Sequence, residues 1–127
     1  MTRKSFEKLV AEGIEEIPKK FLKLIENVAI VVEDEPTVEQ RRKLRLRRGH
    51  TLLGLYEGVP RTAWGRKDSL VMPDKITIFM IPILEVAESG EDVRTIVRDT
   101  VWHEIAHHFG LDEREVRTAE RKKRKFH

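Results

Sequence analysis

His103, Glu104 and His107 are the side chains of this 127-residue chain whose types and spacing could do chemistry together. On a helix, positions four apart project from one face about one turn, ~6 Å, from each other. Two imidazoles so placed can share one zinc ion, each at roughly 2.0–2.1 Å. Glu104 stands about 100° further round the helix, beside the metal without binding it. There its carboxylate can take a proton from water whose pKa a zinc ion lowers to about 7.

A bare HExxH can also arise on an amphipathic helix whose histidines merely share a face. Here the run continues as HEIAHHFGLDE, through Gly110 to Glu113. Glycine ends helices in the left-handed conformation, and such a turn can bring a carboxylate three residues later back toward the metal. His103, His107 and Glu113 would then leave one coordination position open to water, the arrangement of a catalytic zinc site. Asp112 and Glu115 have the spacing of an N-cap and its reciprocal carboxylate for a last helix. Asp112 is therefore read as a cap and Glu113 as the third ligand, with the exchanged assignment as the alternative. His108 points off the metal face, toward packing or hydrogen bonding.

The helix that carries these residues is expected to begin at a capping box formed by Ser89 and Asp92. Val93, Val97, Val101, Ile105 and Phe109 follow at i, i+4 spacing and form a spine able to pack on a sheet. His103 and His107 lie about 160–200° from that spine and so face away from the core. Val28–Val32, a β-branched run, reads as a strand buried on both faces. Leu52–Tyr56 reads as a strand with Gly54 at its centre, a place where another backbone can approach closely. Lys75–Ile81 is a near-continuous apolar run, the mark of an inner strand, and Pro82 then starts a short helical turn through Val86. Near the N-terminus Phe6, Leu9, Val10, Ile14 and Ile17 recur at helical spacing, with Ser5 as the cap. Pro18 opens a second short helix whose apolar face is Phe21, Leu22 and Ile25. Between Glu57 and Asp74 a stretch with Gly58, Gly65, Pro60, Pro73 and Trp64 is too long for a minimal turn and reads as a rim or flap.

Composition narrows the class. The length suits one domain, 1–127, with one modest core. Charged residues make up 37% and aromatics 6%, with a formal net charge of +3. There is no cysteine, which excludes disulfides and thiolate metal sites and suits a reducing cytoplasm. The first residues, MTRKSFEKLVAEG, carry no apolar signal segment, and no apolar run is long enough to span a membrane. A cytoplasmic protein is expected. Six basic side chains fall between Arg41 and Arg48, a candidate polyanion patch. No aromatic side chains are interleaved for base stacking, so a solvated helix or loop is the preferred reading and nucleic acid is not expected as a partner. The tail ERKKRKFH, about 121–127, reads as frayed and solvated.

With these residues in place, the chain resembles the minimal zincin-like bacterial metallopeptidases, whose motif runs HExxHxxGxxE/D. The likeness extends beyond HEIAHHFG to the order FEKLVAEGIEEIP, NVAIVVEDEP, LLGLYEGVP and MPDKITIF ahead of the zinc helix. It implies an α+β fold with a small mixed sheet of about three strands packed on helices and the HExxH helix across it. It also implies one zinc ion per chain on His103 and His107, Glu104 as catalytic base, and an acidic third ligand carried to Glu113, where family members often have aspartate. In zincins generally an edge strand pairs with the extended substrate, which by resemblance is Leu52–Tyr56, with Lys75–Ile81 inside. Fourteen residues follow Glu113 and both Met72 and Met80 precede the site, so neither a C-terminal subdomain nor a methionine turn below the metal is expected. Such a cleft should hold an extended peptide or unfolded segment but discriminate poorly among side chains.

The expected function is zinc-dependent peptide-bond hydrolysis with Glu104 as general base. The tetrahedral intermediate needs a second electrophile, for which Tyr56, the only tyrosine, is the candidate; packing at a strand end is its other role. Two other classes remain. One is a zincin-scaffold binding or regulatory module with weak or no turnover. The other is a polyanion-binding protein using the basic segments.

Overall fold

The structure, a computed structural model, describes residues 1–43, 52–58 and 73–110. Glu113, Asp112 and Glu115, the stretch around Trp64 expected to form a rim or flap, the basic residues Arg45, Arg47 and Arg48, and the tail 121–127 lie outside the described residues. The elements in order are α1 (Arg3–Glu15), α2 (Lys19–Leu22) with a 3-10 turn (Lys23–Ile25), β1 (Val28–Glu33), α3 (Val38–Lys43), β2 (Gly54–Glu57), β3 (Asp74–Phe79), α4 (Met80–Ala87) and α5 (Val93–His108). No helix among the described residues is long and apolar enough to cross a membrane.

The strands form one mixed sheet in the order β1–β3–β2, with β1 parallel and β2 antiparallel to β3. This is the expected α+β arrangement, a small three-stranded sheet with helices. The KITIF run supplies the central strand, and Ile76, Thr77, Ile78 and Phe79 are all buried. The strand ends at Phe79, two residues earlier than expected, because Met80 already belongs to α4. Pro82 is the third residue of that helix, where a missing N–H costs no intrahelical bond. β1 was expected to be buried on both faces; instead it pairs with β3 alone among the described residues, and its side chains are only half-buried. A β-branched run marks a strand but does not say whether the strand is central or at an edge.

α5 is the centre of the packing. Its side chains form four i, i+4 rows about 100° apart. Val97, Val101 and Ile105 are fully buried, as the expected spine requires, with Ile76 and Ile78 in the same core. The neighbouring row Arg98, Trp102 and Ala106 is buried as well, and Trp102 meets Phe21 edge-on with ring centroids 4.3 Å apart. A third row, Ile96, Thr100, Glu104 and His108, passes along β2. The row through His103 and His107 faces outward, and at the two ends of the helix Arg94 and His108 are exposed as well. Phe109, assigned to the spine from its spacing, is instead the C-cap of α5 and 39% exposed, past the point where the core ends.

Caps differ in detail from expectation. Thr2, not Ser5, caps α1, its Oγ1 accepting the Ser5 N–H at 3.1 Å. Asp92 caps α5 by accepting the Arg94 N–H at 2.8 Å, whereas Ser89 donates its hydroxyl to the Val86 carbonyl and closes α4. A reciprocal box does form at α3, where Thr37 and Gln40 exchange backbone N–H to side-chain bonds of 2.9 and 3.0 Å. Arg3 then ties the start of α1 to the end of β1 through the Val32 carbonyl and Asp34, both at 2.6 Å.

Two glycines allow α5 to lie this close to its neighbours. A Cβ on Gly13 of α1 would sit 2.7 Å from the Arg94 carbonyl oxygen, and one on Gly54 of β2 would sit 2.6 Å from the Thr100 methyl. The space expected beside Gly54 for an incoming substrate backbone is therefore filled, on the side-chain face, by α5. Gly54→Ala should cost about 1–3 kcal/mol by overpacking, read from the midpoint of urea unfolding. Thr100→Ser, which removes the clashing methyl, should recover part of that loss in the double variant. A Gly54→Ala protein as stable as wild type would show that the helix-to-strand contact is looser than described.

Candidate metal and catalytic site

The site is assembled where α5 runs beside β2. Thr100, Glu104 and His108 step along the helix by about 6 Å each, and alternate residues of a strand step by about 6.6–6.8 Å. The two elements therefore stay in register over two steps. Thr100 meets Gly54, Glu104 meets Tyr56, and His108 stacks on the Tyr56 ring and approaches Gly58.

Strand pairing decides what Tyr56 can offer. The Phe79 N–H donates to the Leu53 carbonyl at 3.0 Å, and Leu55 and Glu57 follow at the same alternation opposite Thr77 and Lys75. Gly54 and Tyr56 consequently direct their backbone groups away from β3. The outward Tyr56 N–H donates to Glu104 Oε2 at 3.2 Å. Glu104 is thus half-buried against a strand that pairs on one side only among the described residues, and it is held by a backbone donor.

Burial pushes the Glu104 carboxyl above the usual carboxylate range, and the Tyr56 N–H together with His107 and His103 partly counters that rise. His103 and His107 flank it on the open row, exposed and without hydrogen bonds or ion pairs among the described residues. Their ring nitrogens are available as donors to a metal. The pair and Glu104 therefore come together as the motif requires, and α5 ends as expected, with Gly110 in the left-handed region at φ 66°. Glu113 lies outside the described residues, so the site as described holds two of the three candidate ligands. Among the described residues no three His, Asp or Glu side chains surround a common metal position.

Tyr56 is at this site with its hydroxyl engaged. It donates to Asp74 Oδ2 at 2.7 Å, and its ring lies on that of His108, centroids 3.8 Å apart and 16° from parallel. His108 Nε2 is 3.9 Å from the same Asp74 oxygen. Residue spacing gives His108 a packing role but offers no signal for Asp74. Asp74 sits diagonally across the β2–β3 pair from Tyr56, one alternation beyond Ile76, and only the register reveals that neighbour.

The raised Glu104 pKa has a consequence for the metal-free protein. Ionising Glu104 is harder in the folded state than in the unfolded one, so it lowers stability as pH rises past the unfolded value toward the raised folded value. Glu104→Gln lacks this effect while its amide oxygen can still accept the Tyr56 N–H. In chelator, the variant should be more stable than wild type at neutral pH, and the two should converge at acid pH where wild-type Glu104 is protonated. Urea midpoints across a pH series test this; a variant less stable at neutral pH would contradict the burial argument.

Comparison with known proteins follows the same lines. A family model for zincin-like metallopeptidases matches residues 25–123. A solved structure described as a conserved hypothetical protein from Thermus thermophilus is similar with a TM-score of 0.59 and 28% identity, over 86% of this chain and 94% of that one. No curated protein matches. The matched span includes all three strands and the whole of α5, and on that basis the chain belongs to the zincin-like metallopeptidases.

Proposed function

We propose that the protein is a zinc-dependent peptidase that hydrolyses peptide bonds in extended or unfolded segments. The observation that carries this reading is the Glu104 carboxylate, raised in proton affinity by burial and fixed by the Tyr56 N–H between two exposed imidazoles. His103, His107 and Glu113 would hold one zinc ion. Bound there, zinc supplies a Lewis acid for the scissile carbonyl and for water. Glu104 uses the oxygen not held by Tyr56 to accept the water proton and deliver it to the leaving amine.

β2 is the strand along which a peptide would be laid out. Among the described residues it pairs only with β3, and its even positions direct backbone groups outward. Glu104 takes the outward N–H of Tyr56, so strand addition must break off there. That interruption sets the peptide's register against the base. Tyr56 could act as the second electrophile only by exchanging Asp74 for the developing oxyanion. Tyr56→Phe separates its two roles: a fall in kcat of roughly 10²–10³ marks an oxyanion donor, and lost stability without such a fall marks a strand anchor.

The purified protein should bind about one zinc per chain, with binding lost in His103→Ala or His107→Ala and weakened in Glu113→Ala. Elemental analysis after zinc loading measures it. If Asp112→Ala loses zinc and Glu113→Ala does not, the third ligand is Asp112.

Zinc-loaded Glu104→Gln should keep its metal and lose at least ~10²-fold in cleavage of an unstructured peptide. Wild-type activity should vanish with chelator and return when zinc is restored. Cleavage that is equal in the variant and insensitive to chelator belongs to a contaminant. If zinc-loaded wild type cuts nothing, a binding or regulatory module on the zincin scaffold becomes the better reading.

A further inference from the structure

A cavity of about 350 Å³ opens beside His103 and Glu104 and runs back along α5 toward its N-terminus. Ile96, Asp99, Thr100 and His103 line one side of it, a rise of about 10 Å along the helix from Ile96 to His103. Leu52, Leu53 and Val86 supply apolar wall, and Gly54 brings the start of β2 onto it. Thr100 adds little polarity, since its hydroxyl donates to the Ile96 carbonyl at 2.7 Å. The recess is open to solvent and its lining is mostly apolar, a surface against which the stem of a long side chain can lie.

Among the described residues its charged side chains are all acidic. Glu91, Asp99 and Glu104 line the cavity, and no lysine or arginine does so among the described residues. The two arginines closest in sequence are engaged elsewhere. Arg94 binds Asp92 at 2.9 Å and lies 3.8 Å from Glu12, while Arg98 takes Asp99 at 3.0 Å and lies 3.8 Å from Glu16. Asp99 is therefore partly neutralised. Glu91, at the end far from the base, is exposed and has no hydrogen bond or ion pair among the described residues. The positive end of α5 does not cancel it, because the Asp92 carboxylate already caps that end.

We propose that this cavity is the specificity pocket of the peptidase site and takes a substrate side chain with an aliphatic stem and a cationic end, lysine or arginine. The inference rests on the peptidase reading above for its substrate class. The stem lies against Leu52, Leu53, Val86 and Ile96, and the charged end reaches Glu91, as long cationic side chains do when an apolar surface leads to a polar rim. An acidic side chain is repelled chiefly by Glu91, since Arg98 partly neutralises Asp99. The pocket thus supplies side-chain discrimination that a shallow cleft with one wall would lack.

The test separates binding from turnover. Full-length Glu104→Gln, which retains the pocket and cannot use its base, is titrated with capped Ala-Ala-Xaa-Ala-Ala peptides in which Xaa is lysine, arginine, norleucine or glutamate, and followed by amide chemical shifts. The lysine and arginine peptides should bind roughly fivefold tighter than norleucine, as expected for one partly solvated ion pair, with shifts at Ile96, Asp99 and Thr100. The glutamate peptide should bind weakest. Glu91→Lys, a change at an exposed loop position, should abolish the lysine preference and leave norleucine unaffected, and added salt should shrink the preference.

Equal binding of lysine and norleucine, a preference that survives Glu91→Lys, or no binding by any peptide overturns the proposal. Zinc-loaded wild type on the same peptides distinguishes the two readings. Cleavage without lysine or arginine preference removes the pocket and leaves the peptidase. Lysine-selective binding without cleavage removes the peptidase and leaves the pocket.

Discussion

The contact on which the site depends is the seam between α5 and β2. A helix presents a row of side chains every four residues, about 6 Å, and a strand presents one face every two, about 6.6–6.8 Å. The near-equality lets Thr100, Glu104 and His108 face Gly54, Tyr56 and Gly58 one to one. Over two steps the mismatch stays near ~1–2 Å, small enough for side chains to absorb. The outcome is a carboxylate that is desolvated and yet satisfied: it loses water on one side and gains a backbone N–H. A buried carboxylate without such a donor would be costly and poorly placed.

Rigidity comes from the other rows of the same helix. Val97, Val101 and Ile105 close the core against the sheet, while Arg98, Trp102 and Ala106 are buried on the next face. Gly13 lets α1 come within reach of the α5 backbone near Arg94, so the helix is gripped near its start as well as along its length. With two rows buried in the core and a third laid along β2, the fourth presents His103 and His107 outward. A metal site on such a helix gains precision from packing that takes no part in the chemistry.

The same seam links the Glu104 carboxylate to the neighbouring cavity. Glu104 contributes to the wall of the cavity and also bonds the Tyr56 backbone, and Gly54 lies between them on β2. A peptide following this edge would be registered by the strand and by the cavity at once. Nearby, Asp74 receives the Tyr56 hydroxyl and lies beside His108, tying β3, β2 and the end of α5 into one corner. Distortion at that corner would reach Glu104 through the Tyr56 N–H.

Much of this was legible in the residues themselves. The i, i+4 spacing of His103 and His107 and their angle from the Val97–Val101–Ile105 spine place both imidazoles on the exposed side of α5, where they are found. The apolar run KITIF marks the central strand, and Gly110 adopts the left-handed turn that its type allows. These features depend on local periodicity and backbone sterics, which a sequence carries directly. The burial of β1, the end of the spine at Phe109 and the purpose of Gly54 depend instead on which element lies next to which. No local pattern specifies that Thr100 abuts Gly54, that Asp74 meets Tyr56 across the pair, or that Glu104 is held by a strand 48 residues earlier in the chain. The placement of the motif residues was written in their types and spacing; the environment of the Glu104 carboxylate was decided by tertiary packing, because desolvation and hydrogen bonding belong to neighbours in space.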